Sequence, residues 1–481
     1  MSAAALLALC LTIPCAGALA VALLDRRPNL REAASLAAAA ALVAAVVSLA
    51  GPVLAGERPS LRLFELFPGL ALALALEPLG LLFALVASGL WFVSAIYSIG
   101  YMRGNDEPRQ TRFYACFALS IGAAIGVALA ANLLTLYLFY EALTFVTWPL
   151  VTHHGDAEAR RGGRTYLALL VAPSMLFLLP AIAITWSLAG TLDFAPGGIL
   201  DGRVAGAAAA GLAALYAFGI AKAALMPLHR WLPAAMVAPT PVSALLHAVA
   251  VVKAGVFCVV KVAVYVFGAG FAADAFAWLA WAAGFTILAA SVVALRSDNL
   301  KRRLAYSTVS QLSYVVLAAA LLTPVSVAGA ALHIAAHAFG KITLFFAAGS
   351  IYTASGRTQV SQLDGIGRRM PWTMGAFTVG ALSLIGVPPC AGFVSKWVIL
   401  EAVLATGLWP MAALLAASTL LNAGYFLPIV HAAFFRAPAG EAHGEAPLPI
   451  VIALLAAAAG TIALFFLPEL PLALARGVAG P

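Results

Sequence analysis

Fourteen apolar runs follow one another along this chain, and each has the ~20 residues a helix needs to cross a hydrocarbon core. They fall at 3–23, 33–55, 77–101, 113–131, 132–152, 165–189, 204–226, 241–265, 270–295, 302–322, 325–353, 371–403, 407–434 and 447–467. The segments between them are short. The chain is 64% hydrophobic and 10% charged, against about 45–50% and 25% for a soluble domain. No ten-residue alternation of the β-barrel kind is visible. These features predict an all-α polytopic membrane protein of about fourteen transmembrane helices. The first run lacks the basic start of a signal peptide and reads as a membrane span.

Orientation follows from the basic residues. With the N-terminus outside, the inner segments hold 18 of the 27 lysines and arginines: Arg26, Arg27, Arg31, Arg103, Arg109, Arg112, Arg160, Arg161, Arg164, Arg230, Arg296, Lys301, Arg302, Arg303, Arg357, Arg368, Arg369 and Arg436. The outer segments hold Arg58, Arg62, Arg203 and Arg476. Basic loops of this kind stay on the cytoplasmic side. They also account for the pI of about 9.4 without invoking nucleic acid, so the expected surroundings are a lipid bilayer. The five cysteines lie in apolar segments without metal-ligand spacing and read as small buried hydrophobes. Phosphate loops, zinc motifs and nucleophile elbows are absent. Neither a cofactor nor a metal is expected. His153, His154, Asp156 and Glu158 lie between spans and read as a solvated loop.

The remaining five basic residues lie inside spans: Lys222, Lys253, Lys261, Lys341 and Lys396. A lysine at the middle of a membrane helix costs about 2.5–3.5 kcal/mol on insertion scales and usually faces a bundle interior or a wet cavity. The stretch 221–262, AKAALMPLHRWLPAAMVAPTPVSALLHAVAVVKAGVFCVVKV, carries three of them, with His247 and four prolines. Broken backbone at membrane depth is tolerated only where protein or water covers it. Span seven is broken beside Lys222 by Pro227, and span twelve beside Lys396 by Gly386, Pro388 and Pro389. The two spans are five apart, so equivalent units would insert with opposite topology. Paired broken segments of this sort indicate an inverted repeat with its site at the midplane. The units are spans four to eight and nine to thirteen.

Glu141 is the acidic residue deepest in a span. A Glu141–Lys222 pair would work as a switch, because moving one partner changes which group holds the proton. His333, His337 and Lys341 are spaced i, i+4, i+8 and drift along one face of span eleven. His247 and Lys253 are six apart, on different faces of span eight, and one of them is expected to reach a polar path directly. Lys261 is expected to snorkel to the interface. Ser307, Ser310 and Tyr314 share a face that could hold water, and Lys396 is the exit-side titratable group.

The stretches PLHRWLPAAMVAPTPVSALLHAVAVVKAG, LKRRLAYSTVSQLSY, HIAAHAFGKITLFFAAGS and GVPPCAGFVSKWVILEA closely resemble the proton-channel subunits shared by Mrp-type multisubunit cation/proton antiporters and respiratory complex I. The D-type subunit of the Mrp antiporters is the nearest in kind. The resemblance covers roughly spans three to thirteen. It implies N-terminal spans at 1–112, two inverted five-helix repeats at 113–266 and 267–436, and a last span within 437–481. It assigns a proton relay to Glu141, Lys222, His247, Lys253, His333, His337, Lys341 and Lys396. Ala234 departs from relatives that often carry an acidic residue there. The implied function is a proton-conducting subunit of a monovalent cation (Na+)/proton antiporter in a bacterial inner membrane, working with other membrane subunits of a hetero-oligomeric complex. The alternative is a proton-pumping membrane-arm subunit of a redox complex, an NADH:quinone oxidoreductase or membrane-bound hydrogenase. A weaker alternative is a partner of an inorganic-carbon uptake protein.

Overall fold

The computed structural model describes residues 2–268, 273–438 and 442–478. Among these residues, twelve helices are long and apolar enough to cross a membrane: Ala3–Leu23, Pro28–Leu54, Pro78–Gly104, Gln110–Ala128, Leu133–Val151, Ala157–Ala189, Thr240–Phe267, Asp274–Arg296, Leu300–Leu321, Pro324–Ser355, Trp409–Phe435 and Leu448–Phe466. They correspond to twelve of the fourteen expected spans. The other two, seven and twelve, are the broken ones. Span seven is the helix Gly206–Gly219 followed by a 3-10 turn at Ala221–Ala223. Span twelve is the helix Pro371–Ile385, a bend, and the helix Ala391–Ala405. The expected start of span nine, at 270–272, lies outside the described residues.

The two halves repeat their local chemistry on opposite faces. Asn132 caps span five by accepting from the Thr135 amide at 2.8 Å, and bridges to Asp193 between spans six and seven. Asn299 caps span ten by accepting from the Arg302 amide at 3.0 Å, and bridges to Gln359 between spans eleven and twelve. An N-cap side chain satisfies an amide that the helix itself leaves open. Both asparagines therefore mark helix starts at corresponding places.

The arginine-rich turns meet on one face. Arg103 donates to both oxygens of Glu32 (3.0 and 2.6 Å), Arg31 to Gln110 (2.7 Å), and Arg436 pairs with Asp364 (3.1 Å). Glu32 is thereby a buried acidic residue within span two. On the opposite face the segment between spans two and three folds into a hairpin. Strand β1 (Ser60–Phe67) pairs antiparallel with β2 (Leu70–Ala75) across a turn in which Gly69 has φ 82°. A search for long apolar runs passes over this hairpin, although LALALA at 70–75 alternates with the period of a strand. After span fourteen the helix Glu469–Val478 folds back, and Gly477 packs against Pro78.

Burial ranks the helices. The windows of spans eight, ten and eleven are each 94% buried, whereas those of spans one, two, six, thirteen and fourteen are 33–39% buried. His247, His333 and His337, with Lys253, Lys261 and Lys341, ride on spans eight and eleven. Their charge is therefore placed among protein and away from lipid. Cys10, Cys258 and Cys390 are buried as expected, but Cys15 is exposed on the flank of the first span, because an outer helix has a lipid-facing side.

Candidate functional site: a buried line of lysines and histidines

Lys222 is held by the break in span seven. Its backbone N–H donates to Tyr140 Oη (3.2 Å), and Trp231 Nε1 donates to the Ala221 carbonyl (3.0 Å). Its ammonium donates to the Tyr140 carbonyl (2.8 Å) and to Thr144 Oγ1 (2.6 Å), and lies 3.2 Å above the Tyr140 ring. Hydrogen bonds to a charged group and a cation–π contact offset part of its desolvation. Gly255 of span eight allows the approach: a Cβ there would stand 2.3 Å from the Lys222 carbonyl carbon. We expect Gly255→Ala to push the turn away, at an overpacking cost of about 1–3 kcal/mol. Thermal unfolding of the purified complex and its transport rate check this, and both should fall.

Glu141 does not pair with Lys222. It is buried, yet neither carboxylate oxygen has a hydrogen-bond partner among the described residues, because Thr144 and the Tyr140 carbonyl take the ammonium instead. The two groups remain within electrostatic reach. Glu141 stays the acidic residue placed mid-span, but Glu77, the residue that starts span three, joins Glu32 as a buried carboxylate near a membrane boundary. It lies 2.8 Å from Lys261. Lys261 does not snorkel, contrary to expectation: it is fully buried and donates to the Ala130 carbonyl at 2.9 Å.

Span eight contains a π turn at Leu245–Val249, followed by Ala250 at φ −113° and ψ −70°. Such turns shift helical phase and favour functional positions. The shift overturns the expectation that only one of His247 and Lys253 reaches the path. His247 Nδ1 bonds Thr308 Oγ1 at 3.0 Å, and its ring centroid is 4.7 Å from that of Phe345. Lys253 Nζ bonds His337 Nδ1. Both face the central helices.

From there the contacts continue. The His337 and His333 rings are 6.0 Å apart, and His333 stacks on Tyr314 at 5.5 Å. Lys396 lies 4.8 Å above that same tyrosine ring. Its ammonium donates to the Leu384 and Ile385 carbonyls (2.6 and 3.2 Å), which end the first half-helix of span twelve. Helix C-terminal carbonyls freed by a break are suited to hold a cation. Lys341 sits to one side, donating to Leu304 O (2.9 Å) and Ser307 Oγ (2.8 Å). The serine face of span ten is thus filled by side chains: Ser307 also accepts from Tyr425, and Ser310 bonds Ser291.

The arrangement suits proton exchange. The Lys253–His337 bond can be written with the proton on either partner. His247, His333 and His337 each use Nδ1 and leave Nε2 buried without a partner among the described residues. A neutral imidazole accepts at one nitrogen and donates at the other. Sequence reasoning missed Tyr140, Thr144, Thr308, Ser395 and the Leu384 carbonyl. Nothing in the spacing distinguishes them from other hydroxyls and amides of the spans. No group of three His, Cys, Asp or Glu side chains among the described residues is placed to hold a metal ion. Of the loop histidines, His153 is fully buried, not solvated, with Nε2 3.6 Å from Glu107.

The family model for the NADH:quinone oxidoreductase/Mrp antiporter transmembrane region matches residues 130–422, more than half of the chain. The chain belongs to this family. A second model, for the N-terminus of complex I chain 5, matches residues 69–114. NADH-quinone oxidoreductase subunit N of Desulforudis audaxviator is 33% identical over 91% of this chain and 88% of its own length. NADH-quinone oxidoreductase subunit L of Mycobacterium tuberculosis is 32% identical over 81% of this chain and 62% of its own. The A/B subunit of a probable K(+)/H(+) antiporter of Rhizobium meliloti is 32% identical over 78% and 38%. Among solved structures, a chain of the Mrp complex from Dietzia sp. DQ12-45-1b matches with a TM-score of 0.89 at 22% identity, over 100% of this chain and 97% of that one. A chain of the archaeal membrane-bound sulfane sulfur reductase matches at 0.86 and 26%, over 98% and 97%. This family member is a multi-pass membrane protein with the fold of a proton-translocating subunit of Mrp or complex I-like assemblies.

Proposed function

We propose that the chain is the proton-conducting subunit of a multisubunit sodium/proton antiporter in a bacterial inner membrane. The observation that carries this is the contact line Lys253–His337–His333–Tyr314–Lys396, which runs through the three most enclosed helices to the half-buried lysine of span twelve. Protons would load on the Lys222 side, with Glu141 biasing Lys222 through space. They would pass along Lys253, His337 and His333, with His247 and Lys341 as side stations, and leave from Lys396. Partner membrane subunits would supply the cation path. The likeness to a chain of an Mrp complex supports this choice of assembly.

The 33% identity to a quinone oxidoreductase subunit over 91% of the chain favours a second reading, the same path driven by electron transfer in a redox complex. The native complex reconstituted in vesicles tests both. A sodium gradient should drive an opposite pH change, and Lys222→Ala or Glu141→Ala should reduce it strongly. Full activity in both variants would overturn the path. Co-purifying iron–sulfur subunits, with pumping driven by a reductant and quinone, would select the second reading.

A further inference from the structure

A cavity of about 220 Å3 opens on the arginine-rich face, lined among others by Tyr101, Glu107, His154, Thr240, Lys301 and Arg357. Its wall mixes polar and apolar groups, and it is large enough for several waters. It does not lie beside Lys222. It lies where the end of span three, the turn after span five and the starts of spans eight and ten meet.

The turn that supplies Glu107 is built against local preference. Asp106 and Arg109 both take left-handed φ values, 48° and 52°. Such values cost free energy in residues other than glycine and persist where the surroundings hold them. Here the Glu107 amide donates to Met102 O at 2.9 Å, and Arg109 and Arg112 both donate to the His153 carbonyl, at 3.4 and 2.9 Å. The result turns the carboxylate inward, with 8% of its side chain exposed. His154 Nε2 lies 3.2 Å from it and His153 Nε2 3.6 Å.

The two imidazoles differ. The hydrogen bond to Glu107 raises the His154 pKa above the ordinary histidine value, so the His154–Glu107 attraction is present at lower pH and fades as pH rises through that pKa. Burial lowers that of His153 to about 4, which keeps it neutral across the physiological range. Other charged or titratable groups face this pair. Tyr101 comes from span three, Lys301 from the start of span ten, Arg357 from the far wall, and Asp156 stands beside His154.

From the cavity two polar tracks lead inward. On span eight, Thr240 donates to Tyr101 Oη (3.4 Å), and Ser243 lies one turn deeper, just before the π turn that carries His247. On span ten, Lys301 donates to the Ala238 carbonyl (2.5 Å). Thr308, two turns further along that helix, bonds His247 at 3.0 Å. The second track reaches His247 through Thr308, and the first stops a turn short of it at Ser243, whose hydroxyl donates to the Pro239 carbonyl (3.4 Å).

We infer that this cavity is a proton-collecting vestibule, in which Glu107 and His154 hold a proton at the mouth and pass it through water toward His247. The inference rests on the proposed relay and adds an inlet separate from Lys222. Free protons are scarce near neutral pH, and a carboxylate–imidazole pair at a narrow mouth raises their local supply. The proton that leaves His154 is replaced from bulk water or buffer.

The test uses the native complex in vesicles, with ion-driven proton movement followed from about pH 6 to pH 9. Glu107→Gln and His154→Gln should each lose several-fold in rate at the alkaline end and little at the acidic end. A high concentration of a small mobile buffer such as imidazole should restore the lost rate, and Glu107→Asp should keep most of it. A loss equal at every pH and unmoved by buffer means a structural turn and overturns the inference. So do profiles identical to the unmodified complex. Lys253→Ala serves as the control: if it still transports, the relay itself is wrong, whereas an inactive Lys253→Ala beside unaffected Glu107 and His154 variants sinks the vestibule alone.

Discussion

Replacing Lys253 by alanine should stop coupled proton movement while the chain still assembles. Lys253 is the link between span eight and the histidines of span eleven, through its bond to His337 Nδ1. A well-placed proton-transfer group contributes about 10²–10⁴-fold in rate, and we expect a loss in that range. The structural cost is smaller, about 1–3 kcal/mol for a buried polar partner left unsatisfied. Lys253→Arg separates charge from proton exchange, because a guanidinium stays protonated in proteins. It should assemble and remain inactive. Cation-driven pH change in vesicles, set against the amount of assembled complex, measures both. A Lys253→Arg complex that transports normally would make this lysine a fixed charge and remove it from the path.

The largest effect on stability is expected at Glu77. Lys261 is fully buried, 2.8 Å from this carboxylate, 2.9 Å from the Ala130 carbonyl and 4.6 Å from the Phe194 ring centroid. Removing one partner of a buried ion pair leaves an uncompensated charge and costs about 3–5 kcal/mol, whereas replacing both by apolar residues is often neutral or stabilising. Glu77→Ala should therefore lower the unfolding temperature sharply and reduce the protein recovered from membranes. Glu77→Leu combined with Lys261→Met should restore both, and transport with them. Glu77→Ala at normal stability would show that the amine does not depend on the carboxylate. A double variant that folds but does not transport would give the pair a part in conduction.

Much of this molecule is legible without its structure, and the reasons differ by element. Span positions are legible because hydrocarbon admits few alternatives to a helix of about 20 apolar residues. The breaks in spans seven and twelve are legible because proline and glycine beside a lysine leave few other conformations at that depth. The hairpin at Ser60–Ala75 escapes because strand alternation is a weaker signal beside runs of that strength. The phase of span eight escapes for another reason: the π turn at Leu245–Val249 has no local sequence mark, and the side on which His247 meets Thr308 and Phe345 is set by distant segments.

The ionisable residues divide in the same way. Which of them lie in the membrane was determined by the sequence alone, since counting charges within apolar runs requires no contacts. Which of them touch was decided only by the tertiary structure. Lys222 chose Thr144 and a carbonyl over Glu141; Lys261 turned inward to Glu77; His153 went under a turn that looked wet. The physical reason is that hydrophobicity is a property of each residue and sums along the chain. A hydrogen bond instead depends on two groups from distant segments meeting within about 3 Å, and only the packed bundle sets that distance.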